Sequence, residues 1–147
     1  MDLTKFKQYF FAIFQFSALG YIMISGPLFP ENPILLAIQM AGVFLGLWAV
    51  YVMKFGKFHI LPKIVKGSPL VTSGPYRCIR HPMYTSIILF IIPLLANHPD
   101  PIRIGLGFLL VVNLFFKLSF EEKLLLREFR QYKTYQNHSY KLLPYII

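Results

Sequence analysis

Residues 74–86, GPYRCIRHPMYTS, gather Tyr76, Arg77, Arg80, His81 and Tyr84 into a short segment between two long apolar stretches. A second polar group, the adjacent Glu121 and Glu122, closes the last apolar stretch. Pro82 follows His81 directly, and proline is tolerated at a first helical turn because its missing N–H would be unpaired there. A helix opening at Pro82 would carry Arg80, His81 and free backbone donors at its positive end, a natural seat for a carboxylate or phosphate. The two glutamates are expected at the same level, where adjacent acids need cations or an ammonium group beside them. A basic and an acidic patch at one level suit the two ends of a zwitterionic amino acid.

The elements that position these groups are set by hydropathy. With 56% apolar side chains in 147 residues and a mean hydropathy of +0.55, the chain has too little polar surface to cover a water-soluble globule. The reading is an all-α integral membrane protein. Four stretches, 6–24, 34–53, 83–96 and 102–120, approach the roughly 20 apolar residues that a full span requires. The third is short and contains Pro93, so it is expected to be tilted, broken or extended by polar residues facing protein. The first lacks a small-residue cleavage site and runs on into another apolar stretch, so it reads as a retained helix. The single cysteine, Cys78, excludes an internal disulfide and reads as a small structural residue.

The net charge of +9 would suit nucleic acid, but the charges alternate by connection. Lys5 and Lys7 precede the first span. Lys54, Lys57, Lys63, Lys66, Arg77 and Arg80 fill the second connection, and Lys117, Lys123, Arg127, Arg130, Lys133 and Lys141 lie at or beyond the end of the fourth. The other two connections hold Arg103 alone. This is the positive-inside pattern of four spans with both termini cytoplasmic. The basic excess is thus topological, the bilayer is the partner, and no nucleic-acid partner is expected.

The chain divides into a first helix pair (1–53), a cytoplasmic loop (54–82), a second helix pair (83–120) and a cytoplasmic helix with a tail (121–147), all in one membrane domain. The loop carries enough apolar residues, among them Phe55, Phe58, Ile60, Leu61 and Tyr76, to be ordered. In the last segment Glu122, Leu125, Phe129, Tyr132 and Gln136 recur at steps of three and four. That spacing predicts an amphipathic helix continuing the fourth span, with residues 140–147 folded back on the body.

Taken together, LVTSGPYRCIRHPMYTS and EEKLLLREFRQYKTYQNHSYKLLP resemble the integral-membrane methyltransferases of the isoprenylcysteine carboxyl methyltransferase family, which share a core with the phospholipid N-methyltransferases. The resemblance runs from about Gly56 to Pro144. It implies S-adenosylmethionine as methyl donor, bound on the cytoplasmic side, and a lipophilic acceptor such as an isoprenylcysteine-type carboxylate, entering from the bilayer. By position, His81, Tyr84 and Glu122 would contact the donor, Tyr76 with Leu143 and Pro144 would help close its pocket, and Arg80 would steer the acceptor or the donor carboxylate. Arg80, Glu121 and Glu122 are the catalytic candidates. A carboxylate acceptor needs no base near neutrality, whereas an amine or thiol would draw on Glu121, Glu122 or His81. The chain departs from the family pattern at Ser86 and at Arg130, where glycine is usual; the second puts a long cation where the backbone turns.

RHPxY by itself also occurs in NADPH-dependent membrane sterol reductases, the alternative reading, which leaves the glutamate pair without a role. Other residues have plainer readings. Lys54, Lys117, Lys123 and Lys133 are expected to snorkel to headgroups. Tyr132 and Tyr135 fit either an interfacial belt or the site, and Glu121 either the site or solvent. His59, His98 and His138 lack metal-ligand spacing, so no metal is assigned. The acceptor's entrance is expected beside the cytoplasmic ends of the second and third spans, near Met53, Phe55, Met83 and Ile87.

Overall fold

A computed structural model describes residues 3–54 and 70–143. Most of the loop expected to be ordered, Phe55 to Ile64 included, lies outside the described residues, as does Pro144. The described residues form helices α1 (Leu3–Ile24), α2 (Pro33–Lys54), α3 (Pro82–Asn97), α4 (Pro101–Glu128) and α5 (Tyr132–Asn137), with a 3-10 turn at Gly74–Arg77. The fold is all-α: extended pairing among the described residues is limited to the isolated bridge between Ile79 and Tyr140.

Three helices open on proline, and two of those starts are capped by the residue before. Asn32 Oδ1 accepts from Ile34 N at 2.8 Å, ahead of Pro33. Asp100 Oδ1 accepts from Ile102 N at 2.9 Å and Arg103 N at 3.1 Å, ahead of Pro101. Each cap satisfies donors that a helix start leaves free, and the fixed φ of proline suits the first turn. Pro93 does not break α3; it is buried, and the helix runs on to Asn97.

Two helices, α2 and α4, are long and apolar enough to cross a membrane, and α3 is a shorter apolar helix. At about 1.5 Å per residue, α4 measures roughly 42 Å, beyond the roughly 30 Å hydrocarbon thickness of a bilayer.

In space α2 packs along α3 and α1 along α4, and the two pairs join through α3. The core between them holds Ile22, Tyr84, Ile91, Leu94, Leu110, Leu114 and Leu118. The α2–α3 seam is close because two glycines face it. A Cβ on Gly42 would meet Ser86 O and Phe90 N at 3.0 Å each, and one on Gly46 would meet Ser86 Oγ at 3.0 Å. Ser86, at a usual glycine position, is thus accommodated by a glycine across the seam, and its hydroxyl donates to Met83 O at 2.7 Å. Gly74, the first residue of the 3-10 turn, has φ +58°, the left-handed region that favours glycine, and packs against Val52 of α2.

The expected continuation of the fourth span as one amphipathic helix is corrected. The helix stops at Glu128, Phe129 is extended (φ −117°, ψ 107°), and a short α5 follows after a turn at Arg130 and Gln131. The turn therefore forms with arginine in the usual glycine position. The flanking residues are ordinary for any side chain: Phe129 is extended and Gln131 is right-handed helical (φ −79°, ψ −7°). The break lets α5 fold against the loop before α3.

Candidate active site

The site is built where the segment before α3, the C-terminal end of α4 and the folded-back tail meet. Tyr140 N donates to Cys78 O at 2.8 Å, Arg80 N to Tyr140 O at 2.7 Å and His81 N to Lys141 O at 3.1 Å. One turn into α3, Thr85 Oγ1 donates to Leu142 O at 2.6 Å. These bonds fold the tail back as far as Leu142 and fix Arg80 and His81 in direction.

Arg80 Nε donates to Glu122 Oε1 at 2.7 Å, and its Nη1 donates to Gln136 O at 3.1 Å and to Ser139 O. Tyr84 OH donates to Glu121 Oε1 at 2.5 Å. His81 bridges the two acids, with Nδ1 3.7 Å from Glu121 Oε2 and Nε2 3.6 Å from Glu122 Oε1. Its ring stacks on Tyr84 with centroids 5.5 Å apart and planes 4° from parallel. Lys141 Nζ lies 4.0 Å from Glu122 Oε2.

Basic and acidic groups therefore meet at one level, as expected, but they pair with each other. At the start of the third helix Tyr84 N donates to His81 O at 3.0 Å, and the first full helical bond, Thr85 N to the same oxygen, measures 3.2 Å. The anions that face this helix start are the chain's own Glu121 and Glu122. Glu121 is not simply solvated, since a phenol and an imidazole hold it.

Tyr135 OH donates to Tyr76 O, and Tyr132 is 1% exposed, so neither tyrosine belongs to an interfacial belt. Burial pushes the Tyr135 phenol up to about 12. Burial raises Tyr76 and Tyr132 as well, with Tyr135 adding to the first and Glu122 to the second. All three are protonated donors near neutrality. Among the described residues, three buried polar atoms beside the acids have no hydrogen-bond partner: Tyr76 OH, Tyr132 OH and His81 Nε2. Buried polar groups left unpaired are costly, so their convergence around two carboxylates fits a polar ligand.

Of the residues singled out in the sequence, Tyr76, Arg80, His81, Tyr84, Glu121 and Glu122 come together. Leu143 is exposed beside them, with its neighbour Leu142 bonded to Thr85. Met53, Met83 and Ile87 are half-buried near the α2–α3 seam, and Phe55 lies outside the described residues. Cys78 is exposed, so its contribution is its backbone carbonyl. Among the described residues no group of His, Cys, Asp and Glu could hold a metal.

Lys117 is the largest departure. Instead of snorkelling it is 5% exposed, its Nζ donates to Gln15 Oε1 at 3.0 Å, and the same atom lies 5.2 Å from the centre of the Tyr84 ring. Its position four residues before Glu121, on the same face of α4, was the available signal. Arg103 was likewise read only as a loop charge. It is 1% exposed and donates to His98 O at 3.0 Å and Ile22 O at 3.1 Å, tying α1 to the start of α4.

No curated protein and no solved structure matches the chain significantly. A family model described as phospholipid methyltransferase matches residues 33–132. The match spans α2, the 3-10 turn, α3 and α4, and ends on Tyr132, so it contains Tyr76, Arg80, His81, Tyr84, Glu121 and Glu122. Since the match covers more than half of the chain and the residues that converge here, the protein belongs to the phospholipid methyltransferase family, the group of membrane methyltransferases that its loop and glutamate motifs resemble.

Proposed function

We propose that this chain is an S-adenosylmethionine-dependent membrane methyltransferase acting on a lipophilic acceptor. The observation that carries the reading is the convergence of Tyr76 OH, Tyr132 OH and His81 Nε2, buried and unpartnered, around the Glu121–Glu122 pair. Glu122 and His81 receive the ammonium end of the donor, Arg80 reads its carboxylate or steers the acceptor, and the Tyr76 and Tyr84 side chains border it. Leu143 and Pro144 close the tail side. When bound, the donor supplies a methyl group already activated by its sulfonium. The protein's own work is then positioning and exclusion of water.

A carboxylate acceptor of the isoprenylcysteine type requires no base. For an aminophospholipid, Glu121 takes the proton, because it borders the membrane side of the cluster through Tyr84 and Lys117. The membrane arrangement proposed is four spans, α1 to α4, with both termini cytoplasmic and the site at the inner end of α4. Twenty residues of α4 after Pro101 rise about 30 Å, which brings Glu121 and Glu122 to the opposite boundary.

Calorimetric titration of the purified protein with S-adenosylhomocysteine and, in parallel, with NADPH tests the reading. Saturable binding of the first is expected. Binding of NADPH alone would overturn the proposal in favour of the reductase alternative, which no observation in the structure favours. Methyl transfer from labelled donor to vesicles holding either an aminophospholipid or a prenylcysteine then identifies the acceptor.

A further inference from the structure

The α1–α4 seam is polar where it nears the site. Asn113 Nδ2 donates to Phe11 O at 3.2 Å, and one turn further along α4 Lys117 Nζ donates to Gln15 Oε1 at 3.0 Å. An ammonium inside a span is costly unless something compensates it. Among the described residues its one hydrogen bond goes to a neutral amide. The closest carboxylate along its own helix face is Glu121, one turn on. Between them stands Tyr84, with its ring facing the ammonium at 5.2 Å and its hydroxyl bonded to Glu121. Glu122 already has Arg80 as counter-ion at 2.7 Å. Glu122 is thus held by Arg80, whereas Glu121 is held by the Tyr84 hydroxyl and by His81, with Lys117 over the Tyr84 ring.

We propose that Lys117, held by Gln15 of α1, is a positioning residue for the Tyr84–Glu121 pair, so that α1, which lies outside the family-matched region, forms part of the scaffold of the site. The inference rests on the reading that the donor site is built around the Glu121–Glu122 pair. A cation over the Tyr84 ring holds the phenol in place, and the phenol in turn fixes which way the Glu121 carboxylate points. Gln15 keeps the ammonium from turning toward the headgroups, the course open to an unheld lysine. Lys117 itself touches neither donor nor acceptor.

A double-mutant cycle on the full chain in lipid nanodiscs, read by S-adenosylhomocysteine affinity, tests this. Lys117→Met should weaken binding roughly tenfold in the native background and less than about twofold in the Glu121→Gln background, because a residue that acts through another has little left to do once that other is gone. Lys117→Arg should restore affinity to within about threefold, since it keeps a cation over the ring. Equal losses from Lys117→Met in both backgrounds would reveal a general structural role and overturn the inference, as would no loss in either. Should Lys117→Met fail to fold, Gln15→Leu, which retains both charges, is read against Glu121→Gln by the same comparison. Loss of affinity in Glu121→Gln with an independent Lys117 effect defeats this inference alone. An unaltered affinity in Glu121→Gln would remove Glu121 from the donor site and overturn this inference, whereas the reading in which Glu122 and His81 hold the donor is overturned only if the native chain fails to bind S-adenosylhomocysteine.

Discussion

Arg80 Nε and Glu122 Oε1 stand 2.7 Å apart although 42 residues separate them in the chain, and both side chains are buried. The guanidinium also reaches the carbonyls of Gln136 and Ser139, so one side chain joins the segment before α3, the C-terminal end of α4 and the tail. Removing it leaves Glu122 buried without its strongest partner. Arg80→Met should destabilise the protein by about 3 to 5 kcal/mol. Arg80→Lys should recover only part of this, because an ammonium cannot span both the carboxylate and the tail carbonyls. Denaturant unfolding in mixed micelles checks both, and an Arg80→Lys variant as stable as the native chain would contradict the account.

Donor affinity should separate two glutamates of equal formal charge. Glu122→Gln is expected to weaken S-adenosylhomocysteine binding by more than about tenfold, since a charge-assisted hydrogen bond to an ammonium contributes about 1.5 to 3 kcal/mol. Glu128, exposed at the end of α4, is the control, and Glu128→Gln should leave affinity unaltered. Isothermal titration decides, and equal losses would point to a general charge effect.

Two helical glycines, Gly42 at the α2–α3 seam and Gly20 in α1, carry opposite predictions. A methyl on Gly42 would meet Leu89 Cβ and two backbone atoms, Phe90 N and Ser86 O, all at 3.0 Å, and backbone in a packed helix cannot yield. Gly42→Ala should cost about 1 to 3 kcal/mol. Gly20 has nothing within 4 Å of an added Cβ, so Gly20→Ala should stabilise by roughly 0.5 to 1 kcal/mol through helix propensity. Thermal unfolding of the two variants side by side shows whether the sign differs.

Far from the glutamates, Arg103 binds carbonyls of α1 and of the connection before α4. Arg103→Met should lose about 2 kcal/mol or more of stability, from two hydrogen bonds made by a charged donor. S-adenosylhomocysteine affinity should remain within about twofold. Gly26→Ala should have a similar effect, because its methyl would enter the space that the Arg103 guanidinium fills. Stability and affinity falling together in either variant would mean that the two ends of the helices are coupled.

For the proposed topology, reporter fusions after Ile147 and within residues 97–101 should report opposite faces of the membrane, because the basic residues cluster on alternate connections. The same face for both would rule out four spans.

What the sequence by itself determined is what near neighbours decide. Helices Pro33–Lys54 and Pro101–Glu128 follow the expected spans 34–53 and 102–120 closely, and Pro82 opens α3 where the sequence placed it. Hydropathy, proline placement and capping act over a few residues, so they survive in any fold the chain adopts. The residue types of the site were legible for the same reason: arginine, histidine and tyrosine before an apolar helix, and two acids at the end of another. Which groups pair was settled only by tertiary structure. Arg80 takes Glu122 and leaves Glu121 to Tyr84 because the break at Phe129 brings α5 and the tail back over the loop. Lys117 turns inward because α1, whose register against α4 no local pattern encodes, sets Gln15 opposite it. A long side chain near a helix end has two outlets, the headgroups or a neighbouring helix, and its fate depends on what packing puts beside it.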